Sequence, residues 1–325
     1  KPSKEQPPAE VQKIRGVFIR IGRDGITVEP DPDRVSKLKS EIVSILQAGR
    51  LEPEVASRMA GKLSFVSTTL FGQIGRGPIG PVYKRAHQHS QTEVTPVLSQ
   101  ALRTLHRILE FMQPRFRPWP SLRPAVATLY ADAYFQAGDD AKAGKRRLHS
   151  NLDNGWGFIC RTNEGITYSC GRAPDSLVSK FCRSQAYIYF LEVLAQLVCF
   201  VVNKDRLPPY WIAFCDNAPG ATAITKGYTT SGKDQAINNL LSLIWAFIAK
   251  MGWHPHFEWL PSEFNMSDAV PRGDLEVALQ SRWTPLNSDL NQLYSILERV
   301  AEDLTYATGE AVEALCRLKF RFGRS

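Results

Sequence analysis

The chain has 325 residues, 43% of them hydrophobic and 22% charged, which is ordinary globular composition and enough length for two compact domains. Lys and Arg number 40 against 32 Asp and Glu, giving a net charge of +8 and a pI near 9.2, a balance that suits a polyanionic partner, most simply nucleic acid. The six cysteines (Cys160, Cys170, Cys182, Cys199, Cys215 and Cys316) form no CxxC pair and mostly sit in apolar runs, which speaks for buried reduced thiols and against a zinc site. The apolar runs at 191–202 and 240–249 are broken by polar residues, so neither reads as a membrane span. No signal peptide is visible, and a start at Lys1 rather than Met reads as a processed form or a fragment of something longer.

Residues 1–12 are polar and proline-rich and read as a tail or linker. Apolar runs on either side of Asp24-Gly25 predict a hairpin between about 16 and 28. A helix starts in the Pro30–Asp33 segment, carries Val35, Leu38, Ile42, Ile45 and Leu46 on one stripe, and stops at Gly49. A second begins near Pro53 with Val55, Met59, Leu63 and Val66; the glycine- and proline-rich stretch 72–81 then predicts a turn. Residues 98–112 predict an amphipathic helix, and 114–124 a basic, proline-broken linker at which the domain boundary is placed. Beyond it come a buried strand over 129–135 and a polar insertion over 136–154. Strands follow at 155–160 and 166–170, then a helix from about 184 to 202. A strand at 211–217, a helix over 233–251 stopped by Gly252, a strand at 256–260 and helical residues from 274 onward complete the chain. The expected organisation is thus 1–12 tail, 13–124 a mainly helical domain with an N-terminal hairpin, 125–275 a mixed α/β domain, and 276–325 a helical extension.

Four carboxylates fall where a metal site needs them. Asp132 lies in the middle of an apolar, aromatic strand, where an unpaired charge is costly. Asp216 lies at the C-terminal end of a strand, the place where open α/β sheets build sites. Glu192 is the single charge on the helical stripe of Ile188, Leu191, Ala195, Val198 and Cys199. Asp268, three residues after Asn265, fits a helix cap as well as a fourth ligand. If the strands of Asp132 and Asp216 are neighbours, the two acids repel unless a cation lies between them. Three Asp and one Glu suit Mg²⁺ or Mn²⁺, two ions of which perform phosphodiester hydrolysis. Basic residues that could meet a polyanion are Arg76, Lys84, Arg85, Arg115, Arg117 and, in the insertion, Lys145, Arg146 and Arg147.

The order Asp132, Glu192, Asp216-Asn217, Asp268 resembles the ribonuclease H domain of retroelement reverse transcriptases. The match rests on Tyr130-Ala131-Asp132-Ala133, Phe190-Leu191-Glu192, Phe214-Cys215-Asp216-Asn217-Ala218, and Asn265-Met266-Ser267-Asp268 followed by Arg272. The Asp-Asn pair and the Asn265 to Arg272 ending look most like the tyrosine-recombinase (DIRS-like) elements and their relatives. Met59 to Phe65 with Gly75-Arg76 is similar to the thumb and connection of the same polymerases, and the first hairpin to the end of their palm; the resemblance spans about residues 15–280. It implies a ribonuclease H-like mixed five-stranded sheet flanked by helices, after a small thumb/connection-like domain. It implies Asp132, Glu192, Asp216 and Asp268 as ligands of two Mg²⁺ or Mn²⁺ ions, Asn217 and the basic residues as nucleic-acid contacts, and cleavage of the RNA strand of RNA/DNA hybrids.

Three departures stand out. The fingers, most of the palm and the paired polymerase aspartates are missing, so the chain is not expected to polymerise DNA alone. The insertion after the first strand is long, and no His occupies the loop that aids product release in some relatives; His254 and His256 read as packing or surface residues. The main rival reading is a non-catalytic, RNA-binding subunit of a large ribonucleoprotein such as an organellar ribosome, with structured RNA as partner; the positive charge fits it, and the intact acid set argues against it. An integrase-like transposase uses a different order of acids. A polyprotein or ribonucleoprotein assembly is the expected larger context, with no membrane, in an intracellular compartment the sequence leaves open.

Overall fold

The computed structural model describes residues 10–70, 72–111, 114–119, 126–136, 153–181, 187–229 and 235–323. The chain divides into two units, residues 1–124 and residues 125–325.

The first unit joins a four-stranded antiparallel sheet, order β1-β2-β3-β4, to four helices. The strands are β1 (Val11–Ile14), β2 (Val17–Ile21), β3 (Gly25–Pro30) and β4 (Arg115–Pro118), the last following the helices in the chain. The expected hairpin is β2–β3. It gains a strand on each side: β1 begins with two residues read as tail, and β4 takes residues read as linker, pairing Val28 with Arg115 and Gly25 with Pro118. Alternation over Arg115, Phe116 and Arg117 has the period of a strand, and a proline is tolerated because β4 is an edge. Helix α1 (Pro32–Ala48) begins at an Asp31 cap, whose Oδ1 accepts from the Asp33 amide, and ends at Gly49 with φ 63°. Helices α2 (Pro53–Ser67) and α4 (Pro96–Phe111) pack with it around Leu38, Ile42, Met59, Leu63, Leu102 and Leu105. The stretch expected as a turn is instead largely helical, α3 (Arg76–Ala86). Pro78 falls in the first turn, where no backbone donor is needed, and burial of Ile79 and Val82 outweighs the bond lost at Pro81.

The second unit is built on a mixed sheet of order β10-β7-β6-β5-β8-β9. Its strands are β5 (Val126–Gln136), β6 (Asp153–Thr162), β7 (Gly165–Gly171), β8 (Tyr210–Cys215), β9 (His254–Trp259) and β10 (Thr284–Pro285). The β7-β6-β5 half is antiparallel and the β5-β8-β9 half parallel, which makes this the expected mixed α/β sheet. Five strands were expected; the sixth, β10, is two residues long and lies parallel to the β7 edge. Helix α5 (Asp175–Phe181) precedes α6 (Tyr187–Val202), α7 (Ala218–Lys226) follows β8, and α8 (Gln235–Met251) leads into β9. Helices α5 and α7 were not expected, although Asn217 with Pro219 is a helix-start signal. The remaining helices are α9 (Glu276–Gln280), α10 (Asn291–Glu302), α11 (Leu304–Ala307) and α12 (Glu310–Arg317). They belong to the same unit: Asn239 on α8 donates to the Val300 carbonyl of α10 at 3.0 Å. The polar insertion, with Lys145, Arg146 and Arg147, lies outside the described residues. Among those described, no helix is long and apolar enough to cross a membrane.

Strand β5 is central and covered on both faces. Ala127, Leu129, Ala131 and Ala133 point one way and are buried; Tyr130 points the other and packs with Ile159, Tyr168 and Val270. Helix α6 is apolar nearly all round because it is enclosed: Phe190 to Val201 are buried without exception. Gly157 of β6 lies directly opposite Asp132. A Cβ there would come within 2.8 Å of both the Pro271 nitrogen and Val270 Cγ1, so the glycine is what lets the turn after Asp268 close over the strand. Gly157→Ala should therefore destabilise the protein by about 1–3 kcal/mol, the usual cost of overpacking, lowering the urea midpoint of unfolding; an unchanged midpoint would show that the turn is free to give.

Candidate metal centre

The parallel register of β5 and β8 sets two acids side by side. Tyr130 pairs with Phe214, and their rings stack at 4.9 Å between centroids. Two residues further on stand Asp132, within β5, and Asp216, just past the end of β8, at the C-terminal side of neighbouring parallel strands. The third acid arrives from α6. Gln196, one turn beyond Glu192, donates its Nε2–H to the Phe214 carbonyl at 2.6 Å and so ties the helix to β8 just ahead of Asp216. One carboxylate oxygen from each of Asp132, Glu192 and Asp216 then lies within 4.8 Å of the others.

The electrostatics of this cluster are unfavourable as it stands. Asp132 and Glu192 are only 4% and 3% exposed. Burial, then the Asp216 charge, pushes Asp132 up to about 7. Burial, then the charges of Asp132 and Asp216, pushes Glu192 up to about 10. The Ala133 backbone N–H works in the opposite direction on both and does not overcome this. Asp132 Oδ2 is buried without a hydrogen-bond partner. The Cys215 thiol lies 4.0 Å from Glu192 Oε2, and its own ionisation is held off by burial. Arg272 favours ionised Asp132, but its guanidinium is paired with Asp268 at 2.9 Å. Buried carboxylates normally have a cation or are neutral. The donor set is all oxygen with an orphaned acceptor among it, and that fits a hard divalent cation.

Asp268 is placed differently from the other three. Its side chain is 46% exposed and bound to Arg272, and it is not part of the close cluster, although its charge acts on Asp132. The capping box drawn for Asn265 and Asp268 is also not what forms among these groups. Asn265 Oδ1 instead accepts from the amide and hydroxyl of Ser267, and its Nδ2–H reaches the Ala131 carbonyl at 3.5 Å, tethering the turn to the strand of Asp132. Asn217 caps α7, its Oδ1 accepting from the Gly220 amide at 2.8 Å.

The basic residues of the first unit divide. Lys84 and Arg117 are exposed, and Arg76 and Arg115 half-buried. Arg85 corrects the expectation that it faces a polyanion: it is 2% exposed, with Nη2 donating to the Glu93 carbonyl. Its place on the inward stripe of α3 with Val82 was hidden because that stretch read as a turn. Sequence reasoning also passed over Gln196, whose only signal was a second polar residue one turn from Glu192, and Trp259.

No family model matches the chain, and no curated protein matches it. Two solved structures are similar. One is the N-terminal ribonuclease H domain of a Mycobacterium tuberculosis protein, solved as a fusion with maltose-binding protein, at 13% identity over 49% of this chain and 99% of that one, with a TM-score of 0.29. The other is ribonuclease H1 of the halophilic archaeon Halobacterium salinarum, at 14% identity over 47% of this chain and 99% of that one, with a TM-score of 0.28. The chemistry of the site rests on its own distances and burial.

The raised acids fix the sign of a pH effect. Their folded values lie above the ordinary 3.8 and 4.5, so the metal-free protein binds more protons than the unfolded chain across the window up to about 7 for Asp132 and about 10 for Glu192. Its stability is greatest below that window and falls as pH rises through it. In EDTA the protein should therefore melt lower at about pH 8 than at about pH 5. Asp132→Asn should be more stable than the parent at the higher pH by about 1–3 kcal/mol and lose the part of the slope that lies below about pH 7, while the part due to Glu192 remains. A parent and variant that track each other across the range would show that Asp132 is not held protonated.

Proposed function

We propose that residues 125–325 form a metal-dependent nuclease of the ribonuclease H type, which hydrolyses the RNA strand of RNA/DNA hybrids. The observation that carries this reading is the group of three carboxylates, within 4.8 Å of one another and two of them buried, with an orphaned oxygen and no ion pair among the described residues. Such a group is costly as bare protein and natural as a cation site. Asp132, Glu192 and Asp216 would hold Mg²⁺ or Mn²⁺, with Asp268 supplying a fourth carboxylate from the rim. When bound, two such ions activate the attacking water and steady the leaving oxygen of a phosphodiester.

The protein's own part is positioning. Gln196 and the Tyr130–Phe214 stack hold the three acids in register. The Asn265 tether keeps the Asp268–Arg272 turn beside them, where Arg272 offers a cation to a phosphate. The hybrid as substrate is supported by the net charge of +8 and by the order of the four acids along the chain. Origin in a retroelement reverse transcriptase rests on the same motifs, with the first unit read as its thumb and connection. The contact residues proposed from that reading are Arg76, Lys84, Arg115, Arg117, Lys145, Arg146, Arg147 and Asn217.

The test is cleavage of labelled RNA in an RNA/DNA hybrid with Mg²⁺ or Mn²⁺, beside Asp216→Asn. Cleavage should require the metal and fall by about two orders of magnitude or more in the variant. No cleavage with either ion, from folded protein that still binds RNA, would replace this reading with a non-catalytic RNA-binding subunit.

A further inference from the structure

Trp259 is the last residue of β9 and pairs in register with Cys215, the residue before Asp216. Its indole Nε1–H donates to the Asp216 carbonyl at 2.9 Å. The polar end of the side chain is thus fixed to the backbone of an acid-site residue, yet the side chain remains 50% exposed. Packing does not explain it: the other aromatic residues near this strand meet one another edge to face, Trp211 and Trp253 in the core and the half-buried Phe257 against Trp211. The chain then runs on to the Asp268 turn, where the buried Asn265 and Ser267 alternate with exposed Phe264 and Met266. An outward aromatic ring held still at the edge of a cluster of acids calls for a ligand that is anionic at one end and flat and apolar at the other. A nucleotide unit has that construction.

We propose that Trp259 is a stacking platform for a nucleobase of the strand held at Asp132, Glu192 and Asp216, an inference that rests on the nuclease reading. Every base has a π-face, so the platform accepts the strand without regard to sequence while fixing its distance from the acids. Trp259 contacts substrate and takes no part in proton or metal chemistry.

The test is equilibrium binding of a fluorescein-labelled RNA/DNA hybrid to the full chain in EDTA, which reads binding apart from hydrolysis. Trp259→Ala should weaken binding about 5- to 100-fold, the range for loss of one base–aromatic stack, and Trp259→Phe should recover most of it. In Mg²⁺, Trp259→Ala should raise KM more than it lowers kcat. An abasic position opposite the ring should weaken binding to the parent and leave Trp259→Ala indifferent. Binding unchanged in Trp259→Ala overturns the proposal, as does a hybrid that the parent does not bind. A Trp259→Phe variant as weak as Trp259→Ala overturns it too, because the lost Nε1–H bond to Asp216 would then be the cause. Trp259-dependent binding without cleavage by either ion would sink the nuclease reading and leave the platform standing; cleavage with Trp259-independent binding would do the reverse.

Discussion

The second unit is organised around a repulsion. Three carboxylates are brought together at the C-terminal side of two parallel strands, two of them out of reach of water, with Arg272 at the rim as the cation that offsets them among the described residues. A fold under selection for stability alone would place alanine or leucine at these positions, as it does at Ala131, Ala133 and Leu191 beside them. Protonation relieves part of the cost, which is why Asp132 and Glu192 hold their protons so far above the ordinary carboxylate range. A divalent cation would relieve all of it. The arrangement is best understood as apparatus kept at the expense of stability.

The surroundings serve to keep that cluster from relaxing. The Tyr130–Phe214 stack and the β5–β8 ladder fix the spacing of the two aspartates, and Gln196 prevents α6 from sliding away with Glu192. Gly157 removes a side chain where the turn after Asp268 must press on β6, and Asn265 ties that turn to β5. Each is a contact one step away from the acids. A small shift in any of them moves a carboxylate, and catalytic groups tolerate little displacement. The same logic makes the exposed ring of Trp259 notable, since its only polar atom is spent on the backbone of Asp216.

Much of this was legible in the chain. A lone acid in an aromatic strand, and a lone acid on the apolar stripe holding Leu191 and Val198, marked Asp132 and Glu192 by the cost of burying them. Asp216 was marked by its place at a strand end. What was not legible required contacts distant in sequence. Arg85 was misread because α3 contains two glycines and two prolines, and local signals there oppose the tertiary packing that makes it a helix. The strands β4 and β10 are short edges whose pairing depends on neighbours far along the chain, with Arg115 meeting Val28 across four helices. Asp268 shows a finer limit: spacing placed it with the other acids, but only the folded turn shows that its carboxylate is held by Arg272 at the rim.

The central claim is that Asp132, Glu192 and Asp216 are a cation site. It is tested most directly by calorimetric titration of the metal-free protein with Mn²⁺ near neutral pH, in two buffers of different ionisation enthalpy. Because two of the acids hold protons without metal and must give them up to bind it, the account predicts saturable binding with release of about one to two protons, lost in Glu192→Gln. Binding with no proton release, or none that depends on Glu192, would contradict it.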